Sequence, residues 1–311
     1  MKYVEKKGLN LSVFSLGTVQ LGMDYGLGED IAKPKKETAF EVLDCAIKNG
    51  VNSLDTANNY GDSEKVIGEW LKNVDESQKP LVITKIGPFD HSSAEILRKD
   101  ILKQTEKCLE TLGVSYIDIL MVHNFEDYEK NPTVIKETFN ELKEKNIIGY
   151  TALSAYSHNN YFDIATSGFD AVQIPLNVFD WTQIDNGGIK AIADSGMMIF
   201  VRSVFLQGLV FLKPDQVEQR IEFCKPYLEK YLQLCEEFNM EPAILALSYV
   251  LSVPGVTTVV LGTQTPQQVE DNCRMISDAR KLTNEQLEKL HDAFADIDRR
   301  VIDPREWNKK Q

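Results

Sequence analysis

The stretch VNSLDTANNYGDSEKVIGEWLKNVDESQKPLVITK, residues 51–85, decides the fold. VNSLDTA (51–57) is a short apolar run after Gly50 and predicts a strand. SEKVIGEWLKN (63–73) predicts a helix, and LVITK (81–85) a second strand. The same alternation extends both ways. Upstream, SVFSLG (12–17) leads into ETAFEVLDCAIKNG (37–50), whose apolar positions 40, 43, 46 and 47 share one helix face. Gly50 stands where a helix C-cap belongs. Downstream comes a long helix, capped by Ser92 or Ser93 and ending near Gly113. Strand IDILMVH (117–123) precedes helix 132–145, and strand 148–154 precedes a short helix near 159–166. AVQIPLN (171–177) leads to helix 187–195, and MMIFVRS (197–203) to a helical region within 214–238. TTVVLGT (257–263) leads to helix 266–277, with a last helix over 283–297.

Most of these eight strands are near-continuous apolar runs, as a parallel sheet buried on both faces requires. Eight strand–helix units predict an α/β fold of the (β/α)8 TIM-barrel type, one domain over residues 1–311. An open doubly wound sheet competes, but no strand is followed by GxGxxG. Residues 2–6 and 9–13, around Lys7-Gly8, predict a hairpin closing the barrel bottom.

Composition narrows the partners. Acidic residues number 47 against 34 basic ones, a net charge of −13. Such a chain repels phosphate backbones and anionic lipid, so nucleic acid and membrane surfaces are disfavoured. Cys45, Cys108, Cys224, Cys235 and Cys273 are scattered, with no CxxC pair. An odd set without metal spacing argues against disulfides and a zinc site, and for reduced thiols in the cytoplasm. The opening MKYVEKKGLN has no apolar signal core, and no stretch has the length of a membrane span. Monomer and homodimer both remain open.

In a barrel of this kind, chemistry gathers at the C-terminal ends of the strands. Asp55, Lys85 and His123 end three consecutive predicted strands, and Tyr60 lies in the loop after the first of them. Singly, each has a bland reading as a cap, a snorkelling amine, a structural imidazole or a packing ring. Together they make chemical sense. A phenol near pKa ~10 is a poor acid at neutral pH, and a neighbouring ammonium favours its ionised form. An Asp beside the Lys holds it charged. A His donates a hydrogen bond to a carbonyl oxygen. This set would protonate a carbonyl oxygen while hydride reaches the carbon, which implies a nicotinamide cofactor.

At this point the sequence resembles the aldo-keto reductase family. The matching stretches are LGTVQLG (16–22), DTANNYGDSE (55–64), ITK (83–85), VHN (122–124), QIPLN (173–177), SVFLQG (203–208) and LGTQTPQQVEDN (261–272). They cover strands 1 to 8 in order, and D-T-A-x-x-Y-G-x-S-E is the most specific. The resemblance implies the (β/α)8 barrel and reduction of aldehydes and ketones, or the reverse oxidation, with NAD(P)H. It makes Tyr60 the general acid, Lys85 and Asp55 its activators, and His123 the carbonyl-orienting donor. It assigns the nicotinamide carboxamide to Ser154 and Gln173, and the nicotinamide end also to Gly17 and Thr18. Ser203, Phe205, Gln207 and Gly208 would cradle the pyrophosphate. Gly262, Thr263, Gln264, Gln268, Asp271 and Asn272 would surround the adenosine.

Three departures bear on function. Ser154 is followed by Ala155 where the family usually has Asn. Arg202 stands where many members have an aromatic residue against the nicotinamide. Its planar guanidinium would stack there or reach the substrate, unless it turns outward to a surface carboxylate. Residues 262–272 hold no Lys or Arg for a 2′-phosphate, and Arg274 lies just beyond, so NADP(H) and NAD(H) are expected about equally. Tyr25, Phe125, Trp181 and Trp307 are the candidates for the substrate pocket, which favours a small polar carbonyl or sugar. No metal is expected. Two rival readings are a Schiff-base aldolase using Lys85 and a non-catalytic cofactor-binding regulator.

Overall fold

The barrel is closed from beneath by its own N-terminus. In the computed structural model, which describes residues 1–26 and 32–307, β1 (Tyr3–Lys6) and β2 (Leu9–Ser12) pair antiparallel. Their turn puts Lys7 and Gly8 at φ 51° and 81°, the left-handed pair that suits a two-residue hairpin. Leu11 then enters the barrel lumen against Ile83, Ile119, Met121, Ala152, Met198 and Phe200, all fully buried.

Eight parallel strands follow: β3 (Phe14–Gly17), β4 (Ser53–Asp55), β5 (Leu81–Ile86), β6 (Ile117–Val122), β7 (Ile148–Ser154), β8 (Ala171–Pro175), β9 (Met198–Arg202) and β10 (Val256–Gly262). They close in sequence order, with β10 beside β3. This is the predicted (β/α)8 barrel. Strand faces turned outward pack on the helices and form the larger apolar cluster. Ser93 caps helix Ala94–Leu112 by accepting from the Ile96 N–H, and Gly113 ends it at φ 65°.

The structure corrects several elements. Ser12 ends the hairpin rather than opening β3. The region 214–238 opens with two 3₁₀ turns, Pro214–Gln216 and Gln219–Cys224, and only Lys225–Phe238 is α-helix. Helices Phe125–Lys130 and Pro242–Ser252 were not foreseen. The second, PAILALSYVLS, is apolar all round and mostly buried, so it carries little periodic signal. No helix among the described residues is long and apolar enough to cross a membrane.

Candidate active site

The sheet register brings the chemistry to one mouth. Gly17 pairs with Asp55 across β3 and β4, and Asp55 with Ile83 across β4 and β5. Lys85 therefore lies one inward position further up β5. Its ammonium is fully buried, donates to Asp55 Oδ1 at 2.6 Å and to the Thr56 carbonyl at 2.9 Å. Gln173, from β8 across the barrel, donates Nε2–H to Asp55 Oδ2 at 2.6 Å. Both carboxylate oxygens are thus engaged, and the buried charge is paired. The Lys85 Nζ lies 4.9 Å from the Tyr60 ring centroid. The Tyr60 and His123 rings meet edge to face, centroids 5.7 Å apart. The structure thus brings the four residues together.

Their electrostatics differ from the sequence reading at one point. Burial pushes the Tyr60 hydroxyl above its usual range, and the Lys85 and Arg202 charges, although they pull down, do not outweigh it. Tyr60 accordingly keeps its proton at neutral pH. For Lys85, burial alone would lower the pKa, but the Asp55 charge and the bonds to Asp55 and Tyr60 outweigh it and raise it. The amine stays charged. For His123, burial first and then the Lys85 and Arg202 charges depress the pKa to about 3. Its Nδ1 is buried with no hydrogen-bond partner among the described residues.

A neutral His123 has a pH consequence. The unfolded chain takes up this proton near ~6.5, and the folded protein only near 3. Stability should fall as pH drops from about 6.5 toward 3. Reduction kinetics should show no inflection near ~6.5, which a pH profile of kcat/KM checks; a histidine-like step there would contradict a neutral imidazole.

The loop carrying Tyr60 is fastened by Thr56 and Ser63, to which sequence reasoning gave no role, and by Thr18, which it placed at the nicotinamide end. Thr56 Oγ1 donates to Ser63 Oγ at 2.9 Å, Ser63 Oγ to Thr18 Oγ1 at 2.8 Å, and Thr18 Oγ1 to the Asp55 carbonyl at 2.8 Å. Thr18 is fully buried and its hydroxyl is spent in this chain, so it acts on the site by fixing Asp55 and the loop. Glu64 is buried and accepts from Thr84 Oγ1 at 2.6 Å. Half of the D-T-A-x-x-Y-G-x-S-E run is therefore scaffold. Gly22 completes the fastening: a Cβ there would sit 1.9 Å from the Tyr60 carbonyl oxygen and 2.5 Å from the Ser63 nitrogen. Gly22→Ala must displace that backbone. It should lower kcat by about 10²-fold through the displaced phenol and stability by about 1–3 kcal/mol. Steady-state rates and urea unfolding check both; an unaltered kcat would show that the loop yields elsewhere.

The places expected to hold a nicotinamide dinucleotide offer free backbone and free polar groups. Ser154 ends β7 and Gly262 ends β10. Ser203, Leu206, Gln207 and Gly208 all have positive φ (63°, 45°, 54° and 105°), a strained segment of the kind kept at binding sites. Phe205 lies within it and packs edge-on against Phe211. A Cβ on Gly208 would meet nothing within 4 Å. Thr263 Oγ1 is buried without a partner among the described residues. Gln264 donates its N–H to Gln268 Oε1 at 2.7 Å, and its amide to the Ala32 carbonyl at 3.0 Å. Asp271 accepts from Gln267 at 3.4 Å, and Asn272 is largely buried. These features fit the dinucleotide. Arg274 leans toward Glu241 and Asp278, at 3.7 and 3.6 Å, and adds no cation to the segment 262–272.

The substrate side departs most from expectation. A cavity of about 440 Å3 opens at the C-terminal ends of β8 and β9, lined in part by Tyr25, Tyr156, Arg202, Ser203, Gln207 and Arg305; none of the four residues lines it. Tyr25 lines it as expected. Trp181 does not: its Nε1 donates to the Val178 carbonyl, and its ring packs on Tyr249 and His291. Phe125 is fully buried beside Tyr128. Trp307 is also buried and donates to the Arg300 carbonyl at 2.7 Å, docking a tail whose residues 302–305 form part of the cavity wall. Arg202 does not turn outward to a carboxylate. Its guanidinium donates to the Ala155 carbonyl at 3.0 Å and lies 4.5 Å from the Tyr156 ring centroid.

Comparison with known proteins adds independent support. The aldo/keto reductase family model matches residues 14–294. The chain is 26% identical over 293 residues to the uncharacterized oxidoreductase YqkF of Bacillus subtilis, covering 88% of this chain and 94% of that protein. It is 26% identical over 302 residues to the NADH-specific methylglyoxal reductase of Escherichia coli, covering 85% and 89%. A solved aldo-keto reductase from Bacillus halodurans, in its holo form, matches with a TM-score of 0.75 at 22% identity, over 94% of this chain and 96% of that one. That last likeness concerns the fold.

Proposed function

Because this chain belongs to the aldo/keto reductase family of NAD(P)-dependent oxidoreductases, we propose that it reduces an aldehyde, ketone or sugar carbonyl with a proton from Tyr60, or runs the reverse oxidation. One observation carries this reading: a half-buried Tyr60, its hydroxyl pushed above its usual range, beside a buried Lys85–Asp55 pair and a His123 whose pKa is depressed, at one barrel mouth. His123 donates N–H to the carbonyl oxygen and orients it. Tyr60 delivers its proton to the same oxygen. Lys85, held by Asp55, stabilises the phenolate left behind, and Gln173 holds Asp55 in turn. Bound nicotinamide supplies the hydride.

Gly17, Ser154 and Gln173 serve its nicotinamide end, the Ser203–Gly208 segment its pyrophosphate, and Gly262 to Asn272 its adenosine. Without a basic residue in that last segment, both NADP(H) and NAD(H) are accepted. The whole chain acts as one barrel domain, in the cytoplasm, as a monomer or homodimer. The test follows absorbance at 340 nm with reduced cofactor and a panel of aldehydes and aldoses. Oxidation that disappears in Tyr60→Phe supports the reading, and oxidation that persists in that variant removes Tyr60 from the role.

A further inference from the structure

The wall of the cavity at the ends of β8 and β9 is cationic in a chain that is strongly acidic. Three arginines, Arg202, Arg299 and Arg305, line it against one carboxylate, Asp303. The net charge of the whole chain is −13. His158 also lines it, and is held by Glu126 at 2.9 Å. Arg305 is spoken for: Asp303 accepts from its Nε at 2.9 Å and its Nη2 at 2.6 Å. Arg202 is not. It is half-buried, and among the described residues its hydrogen bonds go to the Ala155 carbonyl and, at 3.4 Å, the Ser203 hydroxyl, while its charge also acts on the Asp303 carboxylate. No carboxylate among the described residues forms an ion pair with it. A guanidinium has five N–H donors in a planar fork and matches carboxylate or phosphate two at a time.

The Tyr156 ring organises the pair. The Arg202 guanidinium carbon lies 4.5 Å from its centroid and that of Arg305 3.5 Å. The ring thus holds both cations at the cavity. The remaining lining mixes hydroxyls and amides, including Ser157, Asn159, Thr182, Gln183 and Asn186, with apolar Pro175, Ile302 and Pro304. A volume of about 440 Å3 admits a sugar-sized molecule. Arg202 ends β9 opposite Pro175 of β8, at the same C-terminal mouth of the barrel as Lys85 and His123, so a group held by Arg202 stays at that mouth.

We propose that this cavity is a subsite for an anionic group on the carbonyl substrate, a carboxylate or a phosphate, held by Arg202 with Arg305 beside it. This rests on the reading of the site as a carbonyl reductase and narrows its substrates to acidic ones such as sugar acids or sugar phosphates. The competing claimant for Arg202 is the cofactor's own pyrophosphate, since Ser203 and Gln207 share the wall.

Calorimetric titration of the cofactor-saturated protein separates the two. The probes are D-glucuronate against its neutral amide, and glucose 6-phosphate against glucose. The anion of at least one pair should bind about tenfold or more tightly than its neutral partner. The gap should narrow as salt rises to about 0.5 M. It should also narrow in Arg202→Met and Arg305→Met, and be partly kept in Arg305→Lys. The pair that shows the gap names the group. Equal affinities within both pairs overturn the subsite. So does a result in which the arginine variants weaken cofactor binding and leave the sugar preference intact. Turnover at 340 nm, run alongside, reports separately on the reductase reading. Anion preference without turnover sinks that reading and keeps the subsite, and turnover of neutral aldoses without anion preference does the reverse.

Discussion

Tyr60→Phe should lose about 10²–10⁴ in the rate of carbonyl reduction with little change in cofactor affinity. The substitution is close to a single-atom deletion. The phenyl ring keeps its edge-on contact with His123 and its place 4.9 Å from the Lys85 ammonium. Only the proton donor goes. Because that hydroxyl acts on the carbonyl oxygen as charge develops, kcat and kcat/KM should fall together. Single-turnover absorbance at 340 nm measures the chemical step directly. The wild type adds a pH signature. Burial holds Tyr60 above its ordinary value of 10.0. Reduction should therefore persist through the neutral and mildly alkaline range and decline only when the phenol finally ionises. Oxidation of the alcohol needs the phenolate as base, so it should rise with pH over the range in which reduction declines. A Phe variant within tenfold of the wild type, or a wild-type decline near neutrality, would remove Tyr60 from the role.

The strands were legible because a parallel barrel buries both faces, and IDILMVH or MMIFVRS can hardly be anything else. The strand ends then located Asp55, Lys85, Tyr60 and His123. What they could not give was the sign of the Tyr60 shift. The sequence shows that a lysine is near; it does not show how deeply the ring is buried, and burial wins. The aromatic residues were misjudged for a related reason. Trp181 and Phe125 follow strands at the mouth, but whether such a ring faces the cavity or the helices depends on partners such as Tyr249 and His291, far along the chain. The docked tail has the same origin. Trp307 sits in a polar stretch, and only its burial and its bond to the Arg300 carbonyl reveal that residues before it form the cavity wall. The Thr56–Ser63–Thr18 chain had a signal, since all three lie in the stretches that carried the family resemblance, but small hydroxyl residues there were overshadowed by the reactive ones.

Lys85→Met should be costly twice over, and the two costs can be separated. Lys85 is fully buried, as is most of Asp55, and the two form one ion pair. Removing the ammonium leaves a buried carboxylate with the Gln173 amide as its remaining side-chain partner. Breaking such a pair from one side costs about 3–5 kcal/mol. Methionine fills a similar volume, so little of that loss comes from a void. The double variant Lys85→Met, Asp55→Asn removes the orphaned charge and should recover much of the stability, because the two residues form one coupled unit. The sign of the wild-type pH dependence agrees. The Lys85 pKa is raised on folding: burial alone would lower it, but the charges of Asp55 and Tyr60 and the hydrogen bonds to them outweigh burial. The contribution of the pair is therefore intact below ~10.4 and is lost only as pH climbs through the higher folded value. Activity behaves differently. Neither variant has the Lys85 ammonium to stabilise the Tyr60 phenolate, and both should remain about 10²–10³-fold below wild type in the chemical step. Urea midpoints at neutral pH and single-turnover rates give the two readings. Recovery of stability without recovery of rate assigns Lys85 to the chemistry as well as to the fold. Recovery of both would reduce it to a structural cation, and recovery of neither would place the damage outside the ion pair.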